Sequence, residues 1–351
     1  MNLFTYLNNW KPTISSYLET FLQEKSTTVP KDYTHLYNTL RNFSIRGKFL
    51  RGCFVLLSYE MAGGKNPNEM IPAAAAVEIN QSAMLMHDDI IDHDLLRRGE
   101  PSVYAQYIEE GKKLQAHDPN HFGVGVGISL GDLCIFLGHE LLDKVQLTQE
   151  KSRAMRVQFA QDMQCTGIGQ VMDFTFSSTP HEPSEEEILE MYRLKTARYS
   201  LVNPFLMGAQ AAGAGQEYLT ALSTLCEELG VIFQIKDDGI GLLGDEKITG
   251  KTAHSDVKEN KKTLIRKYLF ELADAKNKEF LSRCFGSSEL GQEDFNKLKN
   301  YVQTSGAQEK INEKLQSMAG NVRGLIKRLS LSQQYKDLLF ELVDYSLARD
   351  K

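Results

Sequence analysis

Apolar residues return every three or four positions along almost the whole chain, the spacing that lines one face of an α-helix. No stretch keeps a period of two between turn residues, so the pattern predicts an all-α chain. The length accommodates roughly ten to thirteen helices with short connections, some longer than about 20 residues and buried through the middle of a bundle. Gly63 and Gly64 end one helix, Pro67 and Pro72 sit near the start of the next, and Pro180 and Pro183 precede another. Ser184 followed by Glu187 matches a capping box, and Glu185, Glu186 and Glu187 favour the positive end of a helix dipole. A long helix is therefore expected from Glu185 towards Gly213, and the run from Cys284 to Asp294 is expected as an exposed loop. Gly123, Gly125 and Gly127 superficially suggest a phosphate-cradling loop, but no strand precedes them and the spacing is wrong, which leaves close helix packing. No Ser/Gly-rich linker interrupts the chain, so residues 1–351 read as a single domain.

Composition narrows the class of function. A chain of 351 residues, 42% hydrophobic and 25% charged, folds rather than staying disordered. Its net charge of -6 makes nucleic acid a poor partner. The most apolar short run, Ile71 to Val77, falls far short of the roughly 20 residues that cross a bilayer, so no membrane span is expected. The N-terminal segment has no apolar export core. The five cysteines are scattered without a CxxC pair and read as reduced thiols, which points to the cytoplasm.

Candidate chemistry begins at Gln81 to Asp94, QSAMLMHDDIIDHD, where Asp88, Asp89 and Asp92 follow an apolar helical stretch. Asp88 and Asp92 are four apart and share a face. Carboxylates drawn together near a core need compensation, and oxygen donors without a thiolate suit a hard ion such as Mg²⁺, which takes one or two carboxylates and leaves its other positions to water and phosphate. A second pair, Asp237 and Asp238, follows another apolar helix in FQIKDDGIGLLGD. Lys48, Arg51, Arg97, Arg98, Lys195, Lys251 and Lys261 surround these segments in the sequence, and cations together with metal-binding acids imply phosphate. His87 reads as a packed neighbour of the first pair. His117 and His121 are four apart, but Pro119 breaks the helix that would align them.

Six segments in order resemble the trans-prenyltransferase family, the head-to-tail polyprenyl diphosphate synthases. They are GKFLR from Gly47, DDIIDHDLLRRGEP from Asp88, GQVMD from Gly169, the pair Lys195 and Thr196, FQIKDDGIGLLGD, and DVKENK ending at Lys261, with a GK at Lys251 between the last two. The resemblance implies an isoprenoid synthase-type helical bundle with a central cavity, a homodimer, and condensation of isopentenyl diphosphate with an allylic diphosphate. It implies that Asp88, Asp92 and Asp237 bind three Mg²⁺ ions, with Asp89 and Asp238 in supporting positions. Arg97, Lys195 and Lys251 would then hold the allylic diphosphate, and Lys48, Arg51, Gln81 and Arg98 that of isopentenyl diphosphate. Thr196, Gln234 and Tyr199 resemble groups that stabilise the allylic cation, and Lys261 one that closes a loop over substrate.

The second motif departs from DDxxD, because Gly241 stands where the third acid would be. Some long-product members of the family share the DDxxG form, so activity is expected, with Asp237 carrying most of the metal load. Asp245 lies beyond Gly244, where the helix is expected to have ended. In the family, bulky aromatics four and five residues before the first aspartate close the pocket at fifteen carbons. Met84 and Ala83 stand there, with Ile79, Asn80 and Ala76 further up, so the resemblance implies geranylgeranyl diphosphate, at twenty carbons, or longer. Farnesyl diphosphate is the alternative, since Met84 is flexible and moderately large. A non-catalytic partner subunit of a two-component synthase is a second alternative, motivated by Gly241. A class I terpene cyclase would need an NDxxSxxxE-type second motif, and a di-iron bundle repeated ExxH pairs; neither is found.

Overall fold

A computed structural model describes residues 2–243, 255–287 and 289–349. The helices are α1 (Leu3–Ser26), α2 (Thr34–Ser44), α3 (Leu50–Met61), α4 (Ile71–Ile91), α5 (Val103–Lys113), α6 (Pro119–Asp143), α7 (Gln149–Ser178), α8 (Glu185–Tyr192), α9 (Asn203–Ala212) and α10 (Gln216–Leu243). They continue as α11 (Ser255–Lys258), α12 (Leu264–Leu272), α13 (Ala275–Cys284), α14 (Gln292–Thr304), α15 (Ala307–Arg328) and α16 (Gln333–Ala348). Among the described residues, strand is confined to an antiparallel ribbon of β1 (Leu96–Arg97) and β2 (Glu100–Pro101). The all-α expectation holds. Among the described residues, sixteen α-helical segments exceed the ten to thirteen expected, because N-caps at Thr263, Asp274, Gly291 and Gly306 cut the C-terminal third into shorter pieces.

Packing divides the chain into two compact units, one of residues 2–159 with 204–219, the other of 160–203 with the described residues from 220 onward. In the first, α4 is the spine: Ala73 to Ala76, Ile79 and Ala83 are fully buried. Glycines let neighbours come close to it. A Cβ at Gly52 of α3 would stand 2.9 Å from the Ala74 carbonyl oxygen. On α6, Gly123, Gly127 and Gly131 recur every fourth residue on one face, and side chains there would strike Ile108 and Tyr104 of α5 and Ile90 and His87 of α4. Close helix packing thus holds for Gly123 and Gly127, while Gly125 has open space at its Cβ position and takes no part in it.

The same helix bears on the expectation that nothing spans a membrane. Among the described residues α6, whose most apolar 18-residue window has a mean hydropathy of 1.5, is long and apolar enough to cross a membrane by length and composition alone. Its apolar residues are interspersed with Ser129, Asp132 and His139, so a search for one uninterrupted run passes over it. Its N-terminus is capped by Asp118, which accepts from the His121 backbone at 3.0 Å, leaving His117 outside the helix.

In the second unit the capping box at Ser184 forms in both directions, with Ser184 N donating to Glu187 at 2.7 Å and Glu187 N to Ser184 at 3.2 Å. The helix it starts does reach Gly213, but from Arg193 to Val202 it winds as a π-helix before α9 resumes the ordinary pitch. Such wide turns are uncommon and concentrate at functional sites. Gly169 of α7 and Gly230 of α10 permit the approach of this stretch. A Cβ on Gly169 would collide with the Lys195 backbone, and one on Gly230 with Ala197.

Candidate active site

Asp88 and Asp89 occupy the last turn of α4, and Asp92 caps it, its N–H donating to the Asp88 carbonyl at 2.8 Å. The four carboxylates of this turn are not equivalent. Asp89 is completely buried and accepts from Arg97 Nε at 2.6 Å and again from Arg97 Nη2. The same guanidinium lies 3.5 Å from Asp94 and 3.8 Å from Asp88. Burial pushes the Asp89 carboxyl up to about 7 in spite of Arg97. Burial works against the Arg97 charge too, but Asp89, Asp88 and Asp94 together hold it firmly protonated. Asp88 keeps 21% of its side chain exposed. The inner acid is therefore consumed by an ion pair, while the outer one faces solvent.

Basic groups lie next to this turn in the same unit. Arg98, in a left-handed backbone conformation at φ 57°, donates to the Phe43 carbonyl at 3.0 Å and lies over the Phe43 ring. Desolvation lowers its pKa, and Arg97 and Arg51 lower it further, a clustering of like charge that an anion would relieve. Glu78, one helix turn before Ser82, is the buried counter-charge. It accepts from Gly52 N at 2.7 Å, and burial raises its pKa although Gly52, Arg51 and Arg98 oppose the shift. Lys48 is exposed and Arg51 half-buried. The Gln81 amide oxygen is buried and has no hydrogen-bond partner among the described residues.

The two positions expected to set product length separate by helical phase. Ile79 and Ala76 lie against Gly138, and His87 and Ile90 against Gly131 and Gly127, so Ala83, buried on this same face, is directed towards α6. Met84 sits one turn before Asp88 and is half-buried. His87 Nε2 contacts the Ile128 carbonyl at 3.2 Å and Asp132 at 3.5 Å, in keeping with a packed neighbour.

The second acidic pair lies near the end of α10. Asp238 is buried and accepts from the Tyr192 hydroxyl and from Gln234 Nε2, the latter at 2.6 Å. Desolvation pushes its carboxyl up to about 8, with Asp256 and Asp173 adding repulsion that Tyr192 and Gln234 only partly offset. Gln234 in turn accepts from the Thr196 hydroxyl at 2.6 Å, and Tyr192 accepts from Leu264 N at 2.9 Å. Thr196, Gln234, Asp238 and Tyr192 thus form one connected chain. Asp237 is 37% exposed and pairs with Arg349 at 2.9 Å, whose guanidinium stacks 3.7 Å over Phe233.

Lys195 and Lys261 meet at a residue to which the sequence assigns no separate role. Asp173, buried at the end of the GQVMD segment, accepts from Lys195 at 2.5 Å and from Lys261 at 3.0 Å. Burial opposes its ionisation, but the two ammonium groups keep its pKa below the usual value. GQVMD is therefore a positioning element: its glycine admits the Lys195 backbone and its aspartate orients two lysines. Tyr199 is half-buried on the π-helical stretch. Tyr192, Glu78 and Asp173 were legible only as acids or rings on apolar helix faces. Lys251, Gly244 and Asp245 lie outside the described residues.

No three Asp, Glu, His or Cys side chains among the described residues converge into a cage for an ion. That suits Mg²⁺, which binds through one or two carboxylates and completes its shell with water and substrate phosphate. The outer oxygens of Asp88 and Asp237 are hard donors with the solvent access such a site needs.

Comparison with known proteins decides the family. Residues 34–302 match the family model described as polyprenyl synthetase. The chain belongs to that family. It is 31% identical over 275 residues to the short chain isoprenyl diphosphate synthase of Methanocaldococcus jannaschii, covering 78% of this chain and 77% of that one. It is 28% identical to the geranylfarnesyl diphosphate synthase of Aeropyrum pernix, covering 87% and 91%. Among solved structures, the geranylgeranyl pyrophosphate synthase of Corynebacterium glutamicum, complexed with isoprenyl diphosphate and magnesium, superposes with a TM-score of 0.92 at 26% identity, over 99% of this chain and all of that one.

Proposed function

We propose that this member of the polyprenyl synthetase family condenses isopentenyl diphosphate head-to-tail with an allylic diphosphate, giving geranylgeranyl diphosphate or a longer trans-polyprenyl diphosphate. It is a trans-prenyltransferase. Asp88, Asp92 and Asp237 are the residues that would hold Mg²⁺, three ions with substrate bound, and Asp89 and Asp238 support them. When bound, the ions neutralise the diphosphate and make it a better leaving group. Arg97, Lys195 and Lys251 position the allylic diphosphate; Lys48, Arg51, Gln81 and Arg98 position that of isopentenyl diphosphate. As the allylic C–O bond breaks, the Thr196 and Gln234 oxygens and the Tyr199 ring face the cation, and the isopentenyl double bond attacks its terminal carbon. The proton lost afterwards passes to the released diphosphate, so no protein nucleophile is required. Fixed charges and dipoles supply most of the rate. Lys261 closes over the site from its anchor on Asp173.

What carries this assignment is the repeated treatment of two DD pairs: in each, the second carboxylate is buried and tied while the first stays accessible. The single domain of residues 1–351, the cytoplasmic location and the homodimer belong to the same proposal. Ile128 and Phe136 of α6 are exposed apolar side chains that a second copy would cover, and burial there would also account for the apolar character of α6 without a bilayer. Names among the relatives favour products of twenty carbons or more, and Met84 and Ala83 agree.

The test is incubation of the purified chain with Mg²⁺, isopentenyl diphosphate and dimethylallyl, geranyl or farnesyl diphosphate, followed by sizing of the dephosphorylated products. Products of twenty carbons or longer are expected. Products ending at fifteen carbons would make it a farnesyl diphosphate synthase, and no condensation with any starter would make it a partner subunit.

A further inference from the structure

The glycine that breaks the second acidic motif is not an empty position. Gly241 lies four residues after Asp237 on α10, so a side chain there would project from the same face. The oxygens of an aspartate side chain lie about 2.4 Å from its own Cβ, given ordinary carbon–carbon and carbon–oxygen bond lengths. Measured from the ideal Cβ position at Gly241, the Oδ2 oxygen of Asp256 already falls inside that radius. Gly239, two residues earlier, has nothing within 4 Å of its Cβ position, so the filling is specific to the site of the lost acid.

Asp256 is held there by its own segment. It lies in α11, where its carbonyl accepts from Lys261 N at 3.0 Å. The next residue, Val257, is fully buried, with its carbonyl accepting from Gly286 N at 2.9 Å. The Asp256 carboxylate thus stands over the helix face that Asp237 shares, at the position where the fuller motif would place its third acid.

We propose that Asp256 supplies the third carboxylate of the second acidic cluster, standing over Gly241 and joining Asp237 in holding the metal that serves the diphosphate. This inference rests on the metal-and-diphosphate reading of the site. The residue at 241 must then be glycine because its place is taken. Putting aspartate there, the acid of the fuller motif, harms the site rather than repairing it, through steric collision and like-charge repulsion. Moving the carboxylate back, with glycine at 256, restores it.

The experiment titrates Mn²⁺ by electron paramagnetic resonance in the presence of inorganic pyrophosphate. It compares the wild-type chain with Asp237→Asn, Asp256→Asn, Gly241→Asp and the double variant Gly241→Asp/Asp256→Gly, with circular dichroism to follow folding. Asp237→Asn and Asp256→Asn are each expected to weaken the tightest Mn²⁺ binding about 10- to 100-fold. Gly241→Asp is expected to weaken it too, and the double variant to recover most of that loss. Asp256→Asn keeps size and shape, so it reports the charge without a packing defect. Wild-type Mn²⁺ affinity in Asp256→Asn, alongside a clear loss in Asp237→Asn, overturns the role of Asp256 alone. Tighter binding in Gly241→Asp also overturns it. Unchanged binding in both asparagine variants overturns the metal reading and this inference with it.

Discussion

The two acidic turns share the dipeptide Asp-Asp at the end of a long helix, yet each keeps its inner carboxylate by opposite means. Asp89 is paired with a buried guanidinium, whereas Asp238 is held by two neutral donors, a tyrosine hydroxyl and an amide. The consequence is visible in the charges. Arg97 stays charged among three carboxylates and Asp89 is pushed up to about 7 in spite of it, while Asp238, with no cation beside it, is pushed up to about 8 and leans on hydrogen bonds. The outer members, Asp88 and Asp237, remain accessible in both. One dipeptide thus divides into a buried acid and an accessible acid, and the division is set by what packs behind the helix.

Breaking the outer members should have the largest effect. Asp88→Ala and Asp237→Ala are expected to lower kcat by about 10³-fold or more, since each removes charge stabilisation of the leaving diphosphate. Circular dichroism should stay native in both; a fall in activity below tenfold would show that the outer carboxylates do not carry the metal.

The inner members should affect stability instead, and differently. Arg97→Ala strands Asp89 without its counter-charge and is expected to cost about 3–5 kcal/mol in urea unfolding. Because folding raises the Asp238 pKa from 3.8 to about 8, the folded chain keeps a proton there that the unfolded chain gives up. The associated stability is complete below the unfolded value and is lost as pH rises through the folded one. Metal-free protein should therefore lose a few degrees of Tm between pH 7 and 9, and Asp238→Asn should flatten that slope. An identical slope in the variant would place the titration elsewhere.

A surface cluster in the second unit gives a contrasting sign. Glu182 accepts from Arg266 and Lys262, and although partial burial opposes them, these donors hold its carboxyl at about 2. This stabilisation is present above pH 4.5 and disappears as pH falls towards 2. Glu182 is 60% exposed, so the effect is small, and Glu182→Gln should lower Tm by about 1–3 °C at pH 7 and by less at pH 3. Product length offers the finest distinction. Met84→Phe should shorten the product with little loss of stability, whereas Ala83→Phe should shorten it and also cost about 1–3 kcal/mol by crowding α6.

Much of this was legible in the residues. Apolar spacing gave the helices, the capping box gave the start of α8, and the ordered motifs named the acids and most of the bases. What stayed hidden depends on contacts between distant segments. Asp173 gathers Lys195 and Lys261 from 22 and 88 positions away, and nothing local marks it as their anchor. Tyr192 looks like one more apolar ring on a helix face until Asp238 is placed beside it. The π-helical turns from Arg193 to Val202 leave no trace in the apolar pattern, since they depend on how α7 and α10 press against the stretch through Gly169 and Gly230. Gly241 reads as a missing acid in one dimension and as an occupied space in three.

The central claim, that both Asp-Asp turns grip a single diphosphate through metal, is tested most directly by anomalous diffraction from Mn²⁺ in crystals grown with inorganic pyrophosphate. The account predicts ions beside Asp88, Asp92 and Asp237 around one shared diphosphate. Ions on one turn only, or the two turns opening onto separate solvent with no diphosphate in common, would contradict it.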